Sequence, residues 1–97
     1  MAKAYMVTVY RAIRDPQKVA AYAQLAGPAV AAGGGRFVVR GMPVKTYENG
    51  LSERTVVVEF PSVEAARAMY EGPQYRKALD ALGDGADRDM RLVEAAE

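Results

Sequence analysis

Gly33-Gly34-Gly35-Arg36-Phe37-Val38-Val39-Arg40-Gly41, followed after a polar loop by Glu53-Arg54-Thr55-Val56-Val57-Val58-Glu59-Phe60-Pro61, is the stretch that decides the fold. Two β-branched runs bounded by glycine and proline read as the strands of an antiparallel hairpin, over residues 36–40 and 54–60. Asn49-Gly50 between them favours a two-residue turn of the positive-φ kind. That turn pairs Val39 with Phe60 and Arg40 with Glu59. Alternation then puts Phe37, Val39, Val58 and Phe60 on one face, and Arg36, Val38, Arg40, Val57 and Glu59 on the other. Lys45 would face Arg54 in this register, so a bulge is expected near residues 41–43.

Working outward, residues 4–10 carry Tyr5, Val7, Thr8, Val9 and Tyr10, a strand apolar on both sides and therefore central in its sheet. Asp15-Pro16 starts a helix, because aspartate caps free N–H groups and proline loses nothing at the first helical position. The helix runs to about Ala32 with Val19, Tyr22, Ala26, Ala29 and Val30 inward, and Gly27-Pro28 is expected to bend or break it. The three glycines that follow close a helix and feed a strand. Phosphate-cradling glycines open a helix instead, so these read as a cap and turn. Ser62 caps a second helix with Val63, Ala66, Met69 and Tyr70 inward. A further helical segment runs from Pro73 to about Leu82, and a last strand covers residues 89–94. The order is β-α-β-β-α-β over a single domain, residues 1–97: an α+β, ferredoxin-like chain whose helices cover one face of a four-stranded antiparallel sheet.

The composition bounds the chemistry. With 51% hydrophobic and 26% charged residues and a formal net charge of +1, the chain is an ordinary globular protein with no field to gather nucleic acid or anionic membrane. It has no cysteine, histidine or tryptophan, which excludes disulfides, thiol nucleophiles, cysteine zinc sites and imidazole chemistry. No metal site and no cofactor is expected. The first ten residues lack the apolar core of a signal peptide and no segment approaches a membrane span, so the cytoplasm is the expected location.

The face away from the helices is expected to carry Thr8, Tyr10, Val38, Val57 and Val93 beside Arg36, Arg40, Thr55, Glu59 and Arg91. Valines on an open face in so small a domain call for burial against a second copy. The expected partner is the chain itself, as a two-fold homodimer enclosing a small-molecule pocket between the two sheets. Ligand-binding candidates are Arg40, Glu59, Tyr10, Arg36, Tyr70 and Tyr75. Arg40 and Glu59 admit two readings: a cross-strand ion pair, or a site in which Arg40 holds a carboxylate or enolate and Glu59, with a raised pKa, moves a proton. Tyr70 and Tyr75 likewise fit either the core or a ligand wall. Whether the chain is an enzyme stays open.

Gly34-Gly35-Arg36-Phe37-Val38-Val39-Arg40-Gly41, Val58-Glu59-Phe60-Pro61-Ser62, Tyr70, Pro73 and Tyr75 resemble the bacterial domain-of-unknown-function family numbered 1330, in the dimeric α+β barrel superfamily. The resemblance implies a ferredoxin-like fold pairing as a dimeric α+β barrel and carries no agreed activity. Relatives often have Trp where Met69 stands and Arg where Leu82 stands. The wider superfamily includes cofactor-independent oxygenases, lactone isomerases, haem-degrading enzymes and stress-related binding proteins. Three functional classes stay open: a homodimer that binds a small molecule, a cofactor-independent enzyme working by proton transfer or oxygenase-type chemistry on an acidic or enolic substrate, or a purely structural or interaction module if the dimer interior is solid. Haem degradation fits poorly with a chain that lacks histidine.

Overall fold

The computed structural model describes residues 2–96. Along the chain run β1 (Ala4–Ile13), α1 (Pro16–Ala32), β2 (Arg36–Gly41), β3 (Thr55–Phe60), α2 (Val63–Glu71), α3 (Pro73–Leu82) and β4 (Ala86–Glu94). The strands form one antiparallel sheet in the order β2-β3-β1-β4, the ferredoxin-like arrangement, with the helices on one face. The second helical region is divided at Gly72-Pro73. Proline pushes the residue before it out of the helical region, and Gly72 is extended, with φ −81° and ψ 165°.

Each helix begins where local chemistry dictates. The Asp15 carboxylate accepts from the N–H groups of Gln17 and Lys18 at 3.0 and 3.3 Å, and the Ser62 hydroxyl accepts from the Ala65 N–H at 3.0 Å. Of the bend or break expected at Gly27-Pro28, the break does not occur: α1 runs on through it. Gly27 has no Cβ to clash with the proline ring, and the freed carbonyl of Gln24 lies on an exposed turn. At the end of α1, Gly34 takes φ +87°, and a Cβ on Gly35 would lie 2.7 Å from Val30 and 2.8 Å from Phe60. The glycines therefore let the chain reverse tightly against its own core.

β1 lies at the centre, as its two apolar sides require. Ala4, Met6, Thr8 and Tyr10 are buried toward the helices, while Tyr5, Val7 and Val9 point the other way. Their partners follow: Val56, Val58 and Phe60 from β3 and Arg88, Met90 and Leu92 from β4 share the helix side. Phe60 is fully buried, worth about 1.5–3 kcal/mol against leaving it in water.

The β2–β3 register differs from the sequence reading. Arg36 faces Glu59 and Phe37 faces Val58; Val38 is then bulged out, so Val39 faces Val57 and Arg40 faces Val56. Asn49-Gly50 is not a hairpin turn: pairing stops at Gly41 and Thr55, and residues 42–54 form a loop. Pro43, with no N–H to donate, cannot carry the ladder further, and Lys45 avoids Arg54. Inside the loop the Gly50 N–H donates to the Tyr47 carbonyl at 3.0 Å around Glu48, whose φ is +53°. The bulge moves Arg40 to the helix side. Thr8 and Tyr10 belong there as well, not on the open face where the sequence reading set them.

Candidate functional site

α1 is rich in alanine where it faces the sheet. Ala20, Ala23 and Ala26 do not fill the space that leucines would, and a cavity of about 300 Å³ remains between α1 and the strands. Its walls are Met6, Val56, Val58, Met90 and the α1 residues Val19 and Ala26. Its polar groups are Thr8, Tyr10, Tyr22, Tyr75, Arg40, Arg54 and Arg88. No carboxylate lines it among the described residues.

The polar groups lie in a row across the sheet. Tyr10 on β1 faces Arg88 on β4, and the Tyr10 N–H donates to the Arg54 carbonyl at 3.0 Å, just before β3. Arg40 on β2, opposite Val56, is the diagonal neighbour of Arg54 on the same face. The Arg88 guanidinium carbon lies 4.7 Å from the centre of the Tyr22 ring and 5.7 Å from that of Tyr10, and the Arg40 guanidinium sits 4.4 Å from the centre of Phe37. These are cation–π distances. Arg88 forms no ion pair among the described residues, and its buried Nη1 has no hydrogen-bond partner there. Burial works against the charged form, but the surrounding tyrosines, Tyr22 first, raise its pKa above the ordinary value, so Arg88 is a permanent cation.

Tyr75 is 2% exposed, and its hydroxyl shares a 2.5 Å hydrogen bond with that of Tyr22. Burial foremost, with the neighbouring Tyr22, pushes the Tyr75 hydroxyl well above its ordinary pKa and keeps it protonated. Tyr70 packs behind it, with ring centres 5.0 Å apart, and does not line the cavity.

The sequence-derived site residues thus separate. Arg40, Tyr10 and Tyr75 meet at the cavity; Glu59 and Arg36 lie together on the opposite face. There Glu59 accepts from Arg36 at 3.0 Å and from the Tyr5 hydroxyl at 3.1 Å, with Lys3 at 3.7 Å. The hydrogen bond from Arg36, then that from Tyr5, holds its carboxyl below the usual range, the reverse of the raised value a general base would need. Arg40 does not pair with Glu59, because the Val38 bulge turns it to the other side. Arg88, Arg54 and Tyr22 are the site residues the sequence reading missed; it places Tyr22 only on the inward stripe of its helix. Counting two back from Met90 and Leu92 along the same apolar face reaches Arg88, a charge where a hydrophobe is due.

Around the Glu59 cluster the open face carries Tyr5, Val7, Val9, Val57 and two well-exposed valines, Val39 (48%) and Val93 (50%). Asp89 on this face is held by Arg11 at 3.2 Å and by Arg91 at 3.0 Å. No group of three acidic, histidine or cysteine side chains among the described residues could hold a metal, and no helix there is long and apolar enough to cross a membrane.

The family model for the Domain of unknown function (DUF1330) matches residues 3–96, and the chain belongs to that family. No curated protein matches the sequence. Among solved structures, a protein of unknown function from Rhodopseudomonas palustris is 21% identical with a TM-score of 0.79, covering 99% of this chain and 84% of its own. A dimeric ferredoxin-like protein of unknown function from Thermobifida fusca YX is 18% identical with a TM-score of 0.68, over 97% of this chain and 92% of its own. SnoaB, a cofactor-independent oxygenase from Streptomyces nogalater, is 15% identical with a TM-score of 0.65, over 100% and 96%. At these identities the likeness is one of fold.

Proposed function

We propose that this DUF1330 chain is a homodimer, paired through the open faces of its sheets, whose subunits each bind a small apolar molecule carrying a carboxylate or enolate beneath α1. The observation that carries the ligand reading is Arg88: a permanent cation on the wall of a mostly apolar cavity, with no carboxylate beside it among the described residues. A partly buried charge without a counter-charge is costly, and an anionic ligand offsets that cost with charge-assisted hydrogen bonds. The Tyr22–Tyr75 pair supplies neutral hydroxyls for a second oxygen. At about 300 Å³ the cavity is at the small end for ligand sites and suits a one- or two-ring acid. The dimer reading is supported by the valine-bearing open face and by the dimeric Thermobifida fusca relative.

Benzoate and its neutral isostere benzamide test the ligand reading in thermal denaturation and calorimetry, with native mass spectrometry reporting subunit number. Benzoate should raise the melting temperature and benzamide should not. Equal effects, or none from benzoate at millimolar concentration, would sink it.

A second reading is a cofactor-independent enzyme acting on an enolic substrate. The fold shared with the Streptomyces nogalater oxygenase favours it, as does a cation placed to stabilise an enolate. It ranks second because the cavity holds no group suited to take a proton: Tyr75 stays protonated and Glu59 is on the far face. Oxygen uptake or turnover of an enolic phenol by the purified protein would reverse that order.

A further inference from the structure

The nine arginines are sorted by face and partner. Arg11, Arg36, Arg67 and Arg91 pair with carboxylates, and Arg14 donates to the Asp84 carbonyl at 3.0 Å. Among the described residues Arg40, Arg54, Arg76 and Arg88 pair with no carboxylate, and three of these four line the one cavity beneath α1. Arg76 lies exposed on α3. A single carboxylate at Arg88 leaves the other two cations uncompensated. Arg40 and Arg54 are diagonal neighbours on one sheet face, close enough to repel each other and to share one anion. Arg54 and Arg88 flank Tyr10 on adjacent strands, so their backbones lie two strand spacings apart, about 10 Å.

We infer that the cavity takes a dianionic organic acid, with one acidic group at Arg88 and a second, across an apolar spacer, held jointly by Arg40 and Arg54. The inference rests on the reading of Arg88 above and adds a second pole with a fixed separation. The apolar spacer lies over Tyr10, along the walls of Met6, Val56 and Val58. Compact dianions whose two charges sit on neighbouring atoms do not span the row. Rigid acids with their charges at opposite ends do.

Calorimetric titration with benzoate, terephthalate and phthalate separates the possibilities. Terephthalate, charged at both ends, should bind at least about tenfold more tightly than benzoate, the effect of one added charge-assisted contact. Phthalate, with adjacent carboxylates, should gain much less. In Arg40→Gln/Arg54→Gln the terephthalate preference should fall to about onefold, while Arg76→Gln, removing an unpaired arginine away from the cavity, should retain it; circular dichroism verifies that both variants fold. Terephthalate binding no tighter than benzoate overturns the second pole and leaves the Arg88 reading standing. A preference that survives in the double variant overturns it too. Failure of all three acids to bind at millimolar concentration overturns both.

Discussion

Replacing Arg88 with methionine should make the unliganded protein more stable and abolish its response to benzoate. The guanidinium is half-buried without a carboxylate partner among the described residues, and its compensation comes from aromatic faces, chiefly Tyr22 at 4.7 Å. Full burial of an ion costs several kcal/mol, and half-burial leaves about 2 kcal/mol of that. Losing the cation–π contacts gives back about 1 kcal/mol. Methionine is close in length, is flexible enough to fill the same space, and lies beside Met90 and Tyr10. The net gain is about 1 kcal/mol, a rise in melting temperature of about 4–8 °C for a domain of this size. With benzoate, whose single carboxylate sits at Arg88, at a hundred times its Kd the wild type gains about 2.7 kcal/mol and the variant little, so the order of stabilities reverses. Urea and thermal denaturation at one fixed protein concentration, with and without the acid, read both numbers. A variant at least 1 kcal/mol less stable than the wild type without ligand would refute the reasoning. It would mean that the tyrosines satisfy Arg88 and that its role is structural.

Val57→Asp puts a charge at the centre of the open face, opposite Val7, and should leave the protein monomeric in light scattering where the wild type forms the proposed dimer; a variant as dimeric as the wild type would move the interface elsewhere. Glu59 has a folded-state pKa below its unfolded value, so its contribution is fully present above the ordinary carboxylate value, about 4.3, and is lost as pH falls from there through the lower folded-state pKa. Glu59→Gln should therefore flatten the stability profile on the acid side, leaving Asp84 and Asp89, whose pKa values are also lowered, to supply what slope remains. Gly35→Ala should cost about 1–3 kcal/mol by forcing a Cβ against Val30 and Phe60; an effect below about 0.5 kcal/mol would mean that Phe60 swings aside freely.

What was legible in the sequence was local. Asp15-Pro16 and Ser62 announced their helices because capping needs only the residue and the next three N–H groups. The run Tyr5 to Tyr10 announced a central strand because both of its sides are apolar. Gly72-Pro73 announced the division between α2 and α3. The β2–β3 register was not legible: Asn49-Gly50 has the local preference of a tight hairpin, but Pro43 and the like charges of Lys45 and Arg54, which a longer ladder would set opposite each other, oppose extending it that far. Nor does any residue type mark a bulge at Val38, since Val-Val-Arg reads equally well on either face. Because one inserted residue inverts every side chain beyond it, the site reading failed for Arg40, while Phe37, before the bulge, was placed correctly. Tyr10 failed for a different reason: in a strand apolar on both sides, alternation has no phase to read.

The bulge also fixes the electrostatics of the two faces. In a regular hairpin with Arg40 opposite Glu59, the open face would carry a further cation and the cavity would lose one. As folded, Glu59 is answered by Arg36 and Lys3, and Asp89 by Arg11 and Arg91, so both carboxylates of the open face are paired within one chain. Such a face can be laid against its own copy without burying an unpaired carboxylate, and its surplus positive charge sits on the long side chains of Lys3, Arg11, Arg36 and Arg91, each more than half exposed. The helix side has the opposite arrangement. Arg40, Arg54 and Arg88 line a cavity with no acid among its described lining residues, so none of those residues neutralises them. A sheet whose only task was to hold two copies together would gain by pairing those three arginines or replacing them with apolar residues. That they stand unpaired around a space alanines keep open in α1 is the physical argument for a ligand.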